Sequence, residues 1–344
     1  MSNTVKIGVL GAGTWGVALA RMLCLAGHEI MLWSAIESEI DAISETKTHP
    51  NLPGVTLPEQ ITYTKEIKTV CEGKDILLFA VPSPFVRATA RKAAPYVSGR
   101  QILVDVAKGI EKETLYTMTE IIADEIRDPD VKLVALSGPT HAEEVVKDLP
   151  TTIVSAGRDE AATTLVQRVF TTPCMRVYTN DDVLGVEICG ALKNIIALAS
   201  GIAIGLGCGD NAKAALITRG IAEISRLGLA MGCREQTFGG LAGIGDLIVT
   251  ATSVHSRNLR CGMLIGKGVP ADEATKQVGM VVEGLNALPA ALALSRKYGV
   301  EMPIIETVDA VVSGRVGVSD AIRTLMSRDL KSELSGACFD NRYD

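Results

Sequence analysis

An isolated lysine in an apolar segment is the residue of this sequence best suited to acid–base chemistry. Lys193 stands among Ile188, Leu192, Ile195 and Ile196, in a stretch with helical spacing. Burial disfavours the charged form of an amine and lowers its pKa towards neutrality, which a general acid–base group requires. The alternative is a lysine that reaches solvent from the exposed side of its helix.

Three further charged residues stand where a ligand could reach them. Lys108, in A-K-G, follows a predicted strand at its carboxyl end, where α/β proteins bind ligands. It suits a phosphate or a reacting hydroxyl, or is an ordinary surface lysine. Asp246, in G-I-G-D-L, could orient a lysine or cap a helix. Arg257, in S-R-N, suits a phosphate or carboxylate, or is a solvated charge.

The segment S-G-P-T-H-A, residues 137–142, also follows a predicted strand. Its glycine and proline predict a turn that presents backbone and hydroxyl donors. His141 could serve as a general base. Because an A-E-E run that resembles a helix start follows it, a polar surface histidine is the favoured interpretation.

A glycine loop near the N-terminus predicts a dinucleotide site. The sequence G-A-G-T-W-G places Gly11, Gly13 and Gly16 directly after an apolar strand and at the start of a helix. In this context Gly11 permits the tight turn, Gly13 admits the pyrophosphate, and Gly16 allows close helix packing. The helix N-terminus then favours the negative charge of NAD or NADP.

The end of the second strand usually distinguishes NAD from NADP. Here it is followed by Ser34, Ala35, Ile36 and Glu37, without a lysine or arginine that could pair with a 2′-phosphate. Glu37 could accept a hydrogen bond from a ribose hydroxyl, or it is a solvated residue at a helix start. We therefore expect NADH to be used at least as well as NADPH.

The elements that carry these residues predict two domains. Strands are expected at 5–10, 29–33, 75–81, 101–106, 132–137 and 152–156, with a loop at 47–58 and a helix at 160–170. Beyond about residue 183 the pattern is helical, with long segments at 183–204 and 211–231. The fold class is therefore α/β, an N-terminal Rossmann doubly wound sheet followed by a C-terminal all-helical domain. We place the boundary between residues 1–184 and 185–344.

Composition excludes several classes of protein. The chain of 344 residues has a net charge of −6, which argues against a nucleic-acid partner. Its eight cysteines show no C-x-x-C spacing and it has four histidines, so no metal site is expected. The uncharged run Asn194 to Gly209 is shorter than the ~20 residues of a bilayer span, and no signal segment is recognised. We expect a cytoplasmic protein without membrane insertion.

Taken together, the motifs resemble those of bacterial NAD(P)-dependent glycerol-3-phosphate dehydrogenases. Besides the segments above, V-A-K-G-I-E, A-L-K-N-I-I-A, N-A-K-A-A-L-I-T-R-G and V-V-E-G occur in the order found in that family, and the resemblance covers roughly residues 5 to 310. It implies hydride transfer between NAD or NADP and the pair sn-glycerol 3-phosphate and dihydroxyacetone phosphate. It also implies a Rossmann domain, a helical substrate domain, a homodimer and a role in phospholipid synthesis.

The resemblance assigns roles to individual positions. Lys193 corresponds to the family's proton acceptor, and it is also counted with the substrate site. The other residues matching the substrate pocket are Lys108, Gly138, Thr140, Asp246, Ser256, Arg257 and Asn258. The residues matching cofactor contacts, beside the three loop glycines, are Thr14, Trp15, Lys108, Ala142, Arg257, Val281 and Glu283.

The chain departs from the family at Ala35, where many members carry His or Arg, so NAD is at least as plausible a cofactor as NADP.

Two alternative functions accompany this interpretation. A β-hydroxyacid-type dehydrogenase would share the two domains and the lysine, although the S-R-N and N-A-K-A-A-L-I-T-R-G segments argue against it. A non-catalytic dinucleotide sensor is disfavoured by the joint presence of Lys193, Lys108 and Asp246.

Overall fold

The computed structural model describes residues 4–330 and 333. In this part of the chain the strands, β1 to β8 in order, are Lys6–Leu10, Glu29–Trp33, Thr62–Thr64, Ile76–Phe79, Ile102–Asp105, Lys132–Ser137, Thr151–Gly157 and Met175–Asn180. The helices of the N-terminal half, α1 to α7, are Thr14–Leu25, Glu37–Thr46, Ile67–Cys71, Val86–Ala93, Met118–Ile126, Ala142–Val145 and Glu160–Phe170.

The C-terminal half of the described chain is helical. Its helices, α8 to α16, are Val183–Gly205, Asp210–Ala230, Glu235–Phe238, Asp246–Thr252, Arg257–Gly266, Ala271–Val278, Glu283–Tyr298, Pro303–Val312 and Val318–Met326. Short turns complete the assignment, 3₁₀ at Ser83–Phe85 and Ala94–Tyr96 and π-helical at Leu241–Gly245.

All eight strands form one sheet in the order β3-β2-β1-β4-β5-β6-β7-β8. Alternate residues of one strand face opposite sides. In β4, Ile76 and Leu78 pack into the cluster with α1 and α7, whereas Leu77 and Phe79 pack into the cluster with α4 and α5. The predicted Rossmann sheet, covered by helices on both faces, is confirmed, as is the helical C-terminal part.

Two strands were not predicted. β3 has only three residues, too few for a recognisable alternation, and it pairs in parallel with β2. In β8 the buried Met175 and Val177 alternate with exposed residues, a pattern that the sequence did contain. The direction of one strand also differs from the expected parallel sheet, because β7 pairs antiparallel with β6. Only the four-residue helix α6 lies between them, so no crossover helix of ordinary length returns the chain to the opposite edge.

Helix α8 is the central helix of the C-terminal half, and α12 lies against it in backbone contact. A Cβ added at Gly201 would lie 2.2 Å from the carbonyl oxygen of Leu259, and one at Gly262 would lie 2.2 Å from that of Leu198. The contact repeats one turn later at Gly205 and Gly266. These glycines allow α12 to lie directly against the C-terminal part of α8.

Judged by length and composition alone, helix α8 is long and apolar enough to cross a membrane. It is longer than the uncharged run noted in the sequence, because it begins at Val183 and includes Glu187 and Lys193. It is a core helix, with 89% of its apolar window buried inside the protein. The bent pair Glu235–Thr252 and Arg257–Gly266 passes the same test when counted as one span.

Candidate active site

Two lysines meet one buried carboxylate at the junction of the sheet and the helical part. Lys193 Nζ lies 2.8 Å from Asp246 Oδ1, and Lys108 Nζ lies 2.7 Å from Asp246 Oδ2. Lys108 Nζ also donates to the carbonyl oxygen of Gly138, at 3.0 Å. Lys193 comes from the middle of α8, Lys108 follows β5, and Asp246 begins α11. Three segments remote in sequence thus form one charged cluster.

Lys193 does not reach solvent, since it is only 5% exposed. Burial lowers its pKa to about 8, and the charges of Lys108 and Arg257 act in the same direction, whereas Asp246 opposes them. Its Nζ also donates to Thr250 Oγ1, and that hydroxyl donates to the carbonyl oxygen of Asp246. The amine is thereby oriented from two sides.

Asp246 does not cap its helix. Its side chain is 1% exposed and lies between the two lysines, while Gly245 occupies the N-cap position. The preceding π-helical turn brings the chain close to α10, where a Cβ added at Gly243 would lie 2.1 Å from the carbonyl oxygen of Phe238. Gly243 of G-I-G-D-L therefore helps to place Asp246 by allowing a close backbone approach.

The turn after β6 lies beside this cluster. Thr140 Oγ1 donates to the carbonyl oxygen of Gly138 at 3.2 Å. Ser137 Oγ is buried and has no hydrogen-bond partner among residues 4–330 and 333. His141 is half-buried and not the freely exposed residue that was expected: its Nε2 lies 3.5 Å from the carbonyl oxygen of Val249, and burial lowers its pKa.

The start of α12 carries the S-R-N residues. Ser256 Oγ accepts from the backbone N–H of Leu259 at 3.2 Å and so caps the helix. The buried side chain of Asn258 donates to Asn194 Oδ1 at 2.9 Å and accepts from the backbone N–H of Gly284 at 2.8 Å. Because both ends of this amide are occupied, it ties α12 to α8 and α14.

Arg257 differs from these two neighbours. It is half-buried, and within the described residues no salt bridge engages its guanidinium. Burial lowers its pKa, while the carboxylates of Glu283 and Glu143 act in the opposite direction. A cation that is partly desolvated and lacks a paired carboxylate is suited to an anionic ligand.

The glycine loop fits a dinucleotide. Gly11 has a φ of +127°, and a Cβ there would lie 2.8 Å from the backbone of Ala80. A Cβ at Gly16 would lie 2.1 Å from the carbonyl oxygen of Gly11, so neither position accepts a side chain. Gly13, the N-cap of α1, has nothing within 4 Å of its Cβ direction. The open side of the loop therefore faces the helix N-terminus, where a pyrophosphate is favoured.

The other predicted cofactor residues lie around the same edge of the sheet. Glu283, the first residue of α14, accepts from the backbone N–H of Ser83 at 3.0 Å and from its hydroxyl at 2.5 Å. It therefore links the helical part to the end of β4. Thr14 begins α1 beside the half-buried Trp15, Ala142 begins α6, and Val281 precedes α14.

Two residues escaped the sequence analysis, Asn194 and Lys65. Asn194 stands in a recognised motif, but only the packing shows that it contacts Asn258. Lys65 follows β3, and its Nζ lies 3.6 Å from Glu37 Oε2. The Glu37 side chain is 74% exposed and shares this lysine with Asp41.

Comparison with known families decides the assignment. The family model for the N-terminus of NAD-dependent glycerol-3-phosphate dehydrogenase matches residues 6–163, and the model for its C-terminus matches residues 182–323. The chain belongs to the NAD-dependent glycerol-3-phosphate dehydrogenase family. The predicted family, enzyme class and cofactor class, NAD or NADP, are confirmed: the protein is an NAD(P)-dependent oxidoreductase that acts on small molecules.

Individual glycerol-3-phosphate dehydrogenases resemble the chain over nearly its whole length. "Glycerol-3-phosphate dehydrogenase [NAD(P)+] 2" of Lactobacillus delbrueckii subsp. bulgaricus is 61% identical over 96% of this chain and 99% of its own. The corresponding enzyme of Agathobacter rectalis is 52% identical over 96% and 98%. The crystal structure of glycerol-3-phosphate dehydrogenase from Coxiella burnetii superposes with a TM-score of 0.90 at 35% identity, covering 94% of this chain and 99% of that one.

Proposed function

We propose that Lys193 is the acid–base group with which this enzyme interconverts sn-glycerol 3-phosphate and dihydroxyacetone phosphate. The observation that carries the proposal is a single buried lysine, 2.8 Å from a buried aspartate, with a pKa of about 8. In reduction the ammonium of Lys193 gives a proton to the oxygen on substrate C2. In oxidation the neutral amine takes the proton from the C2 hydroxyl.

The neighbours of Lys193 keep its amine in place during proton transfer. Asp246 holds Nζ on one side and Thr250 Oγ1 on another, which leaves the remaining direction of the amine for the substrate. Lys108, fixed by the same carboxylate and by Gly138, adds a positive charge near the developing alkoxide. Such preoriented charges stabilise a transition state without reorganisation.

The phosphate of the substrate belongs at the start of α12. Arg257 supplies a charged group free of salt bridges in the described structure, and the first-turn amides of the helix add their dipole. Ser256 and Asn258 support the site by capping α12 and holding it against α8, and Thr140 lies on the turn beside Lys108.

The cofactor is held by residues at the carboxyl edge of the sheet. When bound, NAD or NADP supplies or accepts the hydride. The three glycines of the loop, with Thr14 and Trp15, would hold the pyrophosphate. Glu283 and Arg257 would approach from the helical part. The remaining contacts would come from Lys108, Ala142 and Val281.

We further propose a domain organisation, a location and a metabolic role for the enzyme. We place the domain boundary at residues 184/185, within the first turn of α8, and the last residues of the predicted domain 185–344 lie outside the described part of the chain. We place the enzyme in the cytoplasm, where its seven described cysteines, all free, would stay reduced. It acts as a homodimer and supplies glycerol 3-phosphate for phospholipid synthesis.

The direct test is reduction of dihydroxyacetone phosphate, followed with NADH and NADPH in parallel. The proposal requires turnover that disappears in Lys193→Ala and persists in Lys267→Ala, a lysine exposed at the end of α12. Turnover of a β-hydroxy acid instead would overturn the substrate assignment.

A further inference from the structure

The strand pairing places a cation beside the end of β2. β2 and β3 are parallel and in register, with Trp33 opposite Thr64, so Lys65 emerges next to Ser34. The indole Nε1 of Trp33, a residue only 3% exposed, donates to the carbonyl oxygen of Lys65 at 2.9 Å. The backbone of Lys65 is therefore anchored at the position where Rossmann proteins distinguish the two cofactors.

The Lys65 ammonium lies against the first turns of α2. Its Nζ is 2.8 Å from Asp41 Oδ2 and 3.6 Å from Glu37 Oε2, and its side chain is 41% exposed. The hydrogen bond that the Lys65 ammonium donates to Asp41 raises the pKa of Lys65, so the side chain stays charged. It offsets the carboxylate of Glu37, which would otherwise repel a 2′-phosphate.

The remaining polar group at this strand end is already engaged. Ser34 Oγ donates to Glu39 and accepts from the backbone N–H of Ile36 at 3.1 Å. Its proton is therefore unavailable to a ligand, and Lys65 is the charged donor that the structure brings to this position.

We propose that Lys65 is the residue that allows this enzyme to bind NADPH as well as NADH. When a 2′-phosphate is bound, the ammonium of Lys65 moves from Glu37 to the phosphate, while Asp41 and Trp33 keep Lys65 in place. With a free ribose, Lys65 stays on the two carboxylates and Glu37 accepts from the hydroxyls. This inference rests on the proposed cofactor site and adds the residue that distinguishes a 2′-phosphate from a 2′-hydroxyl.

The experiment measures nucleotide binding by calorimetry, with 2′,5′-ADP and 5′-AMP as probes beside NADPH and NADH. In Lys65→Met, which keeps the length and removes the charge, we expect the Kd of 2′,5′-ADP and NADPH to rise about 10–100-fold, as for loss of a charged hydrogen bond. The Kd of 5′-AMP and NADH should change less than twofold. Lys68→Met, at an exposed lysine paired with Glu72, is the matched control and should alter neither.

A second variant tests the competition between carboxylate and phosphate. Glu37→Gln should tighten binding of 2′,5′-ADP, because it removes the carboxylate that competes for Lys65, and it should leave the fold intact. The inference is overturned if Lys65→Met leaves 2′,5′-ADP unchanged, or if it weakens both probes equally, since the latter outcome would mean that Lys65 only supports the turn. Failure of the proposed cofactor site itself would appear differently, as absent binding of NADH and NADPH to the unmodified protein.

Discussion

Lys193 and Asp246 form a buried ion pair, with Nζ 2.8 Å from Oδ1 and side chains 6% and 1% exposed. The carboxylate is shared with Lys108, so the cluster carries one more positive than negative charge. Burial and the excess positive charge together lower the pKa of Lys193 to about 8, while Asp246 holds the amine in place. This one relationship connects the predictions on catalysis.

Lys193→Ala should lower kcat about 10²–10⁴-fold, as expected for loss of a positioned acid–base group. Binding of NADH, measured by calorimetry, should stay close to that of the unmodified enzyme, because the pyrophosphate would be held by the glycine loop and not by Lys193. A variant with near-normal kcat would contradict the assigned role. Lys267→Ala provides the comparison.

Asp246→Asn should move the pH dependence of the reaction. Lys193 must be protonated to donate in reduction, so kcat for dihydroxyacetone phosphate falls as pH rises through its pKa. Asp246 opposes the lowering by burial, so without its charge the pKa falls further below about 8 and the decline begins at lower pH. The pH profile of kcat measures this shift.

An unchanged midpoint would exclude Asp246 as the group that sets the pKa of Lys193. The control is Asp210→Asn, at an exposed aspartate paired with Lys213, which should leave the pH profile unchanged.

Arg257→Ala should weaken substrate binding more than it slows turnover. A phosphate contact exists in both the ground state and the transition state, so KM for dihydroxyacetone phosphate should rise more than kcat falls. Steady-state kinetics at fixed ionic strength separate the two constants. Arg260→Ala removes an exposed arginine one turn later and should change neither; an unchanged KM in Arg257→Ala would refute the phosphate role.

Gly262→Ala should destabilise the helical part by about 1–3 kcal/mol, because a Cβ 2.2 Å from the carbonyl oxygen of Leu198 forces α8 and α12 apart. Urea unfolding gives the free energy, and kcat/KM should fall as well, since α12 carries Arg257. Gly239→Ala is the control, with its nearest neighbour 3.8 Å from the added Cβ. Equal stability of the two variants would show that the helices separate without cost.

The local features of the chain were readable from the sequence. The strand and loop around Gly11, the helical texture after residue 183 and the lone lysine of α8 each follow from spacing within a few residues, because backbone geometry imposes the periods of strands and helices. β3 was missed because three residues cannot display a period, and with it Lys65 was missed.

The contacts across the chain were decided only by the tertiary structure. The sequence identified Lys193, Lys108 and Asp246 as candidates, but left open whether each was buried, solvated or capping. Packing of β5, α8 and α11 settles the question, because it buries Lys193 and Asp246, leaves the Lys108 side chain 17% exposed, and pairs both lysines with one carboxylate, which offsets the cost of burying the charges. Strand pairing likewise places Lys65 beside Glu37. The positive charge near the end of β2 comes from the residue that follows the neighbouring strand β3, and only the pairing of these two strands determines which residue lies there.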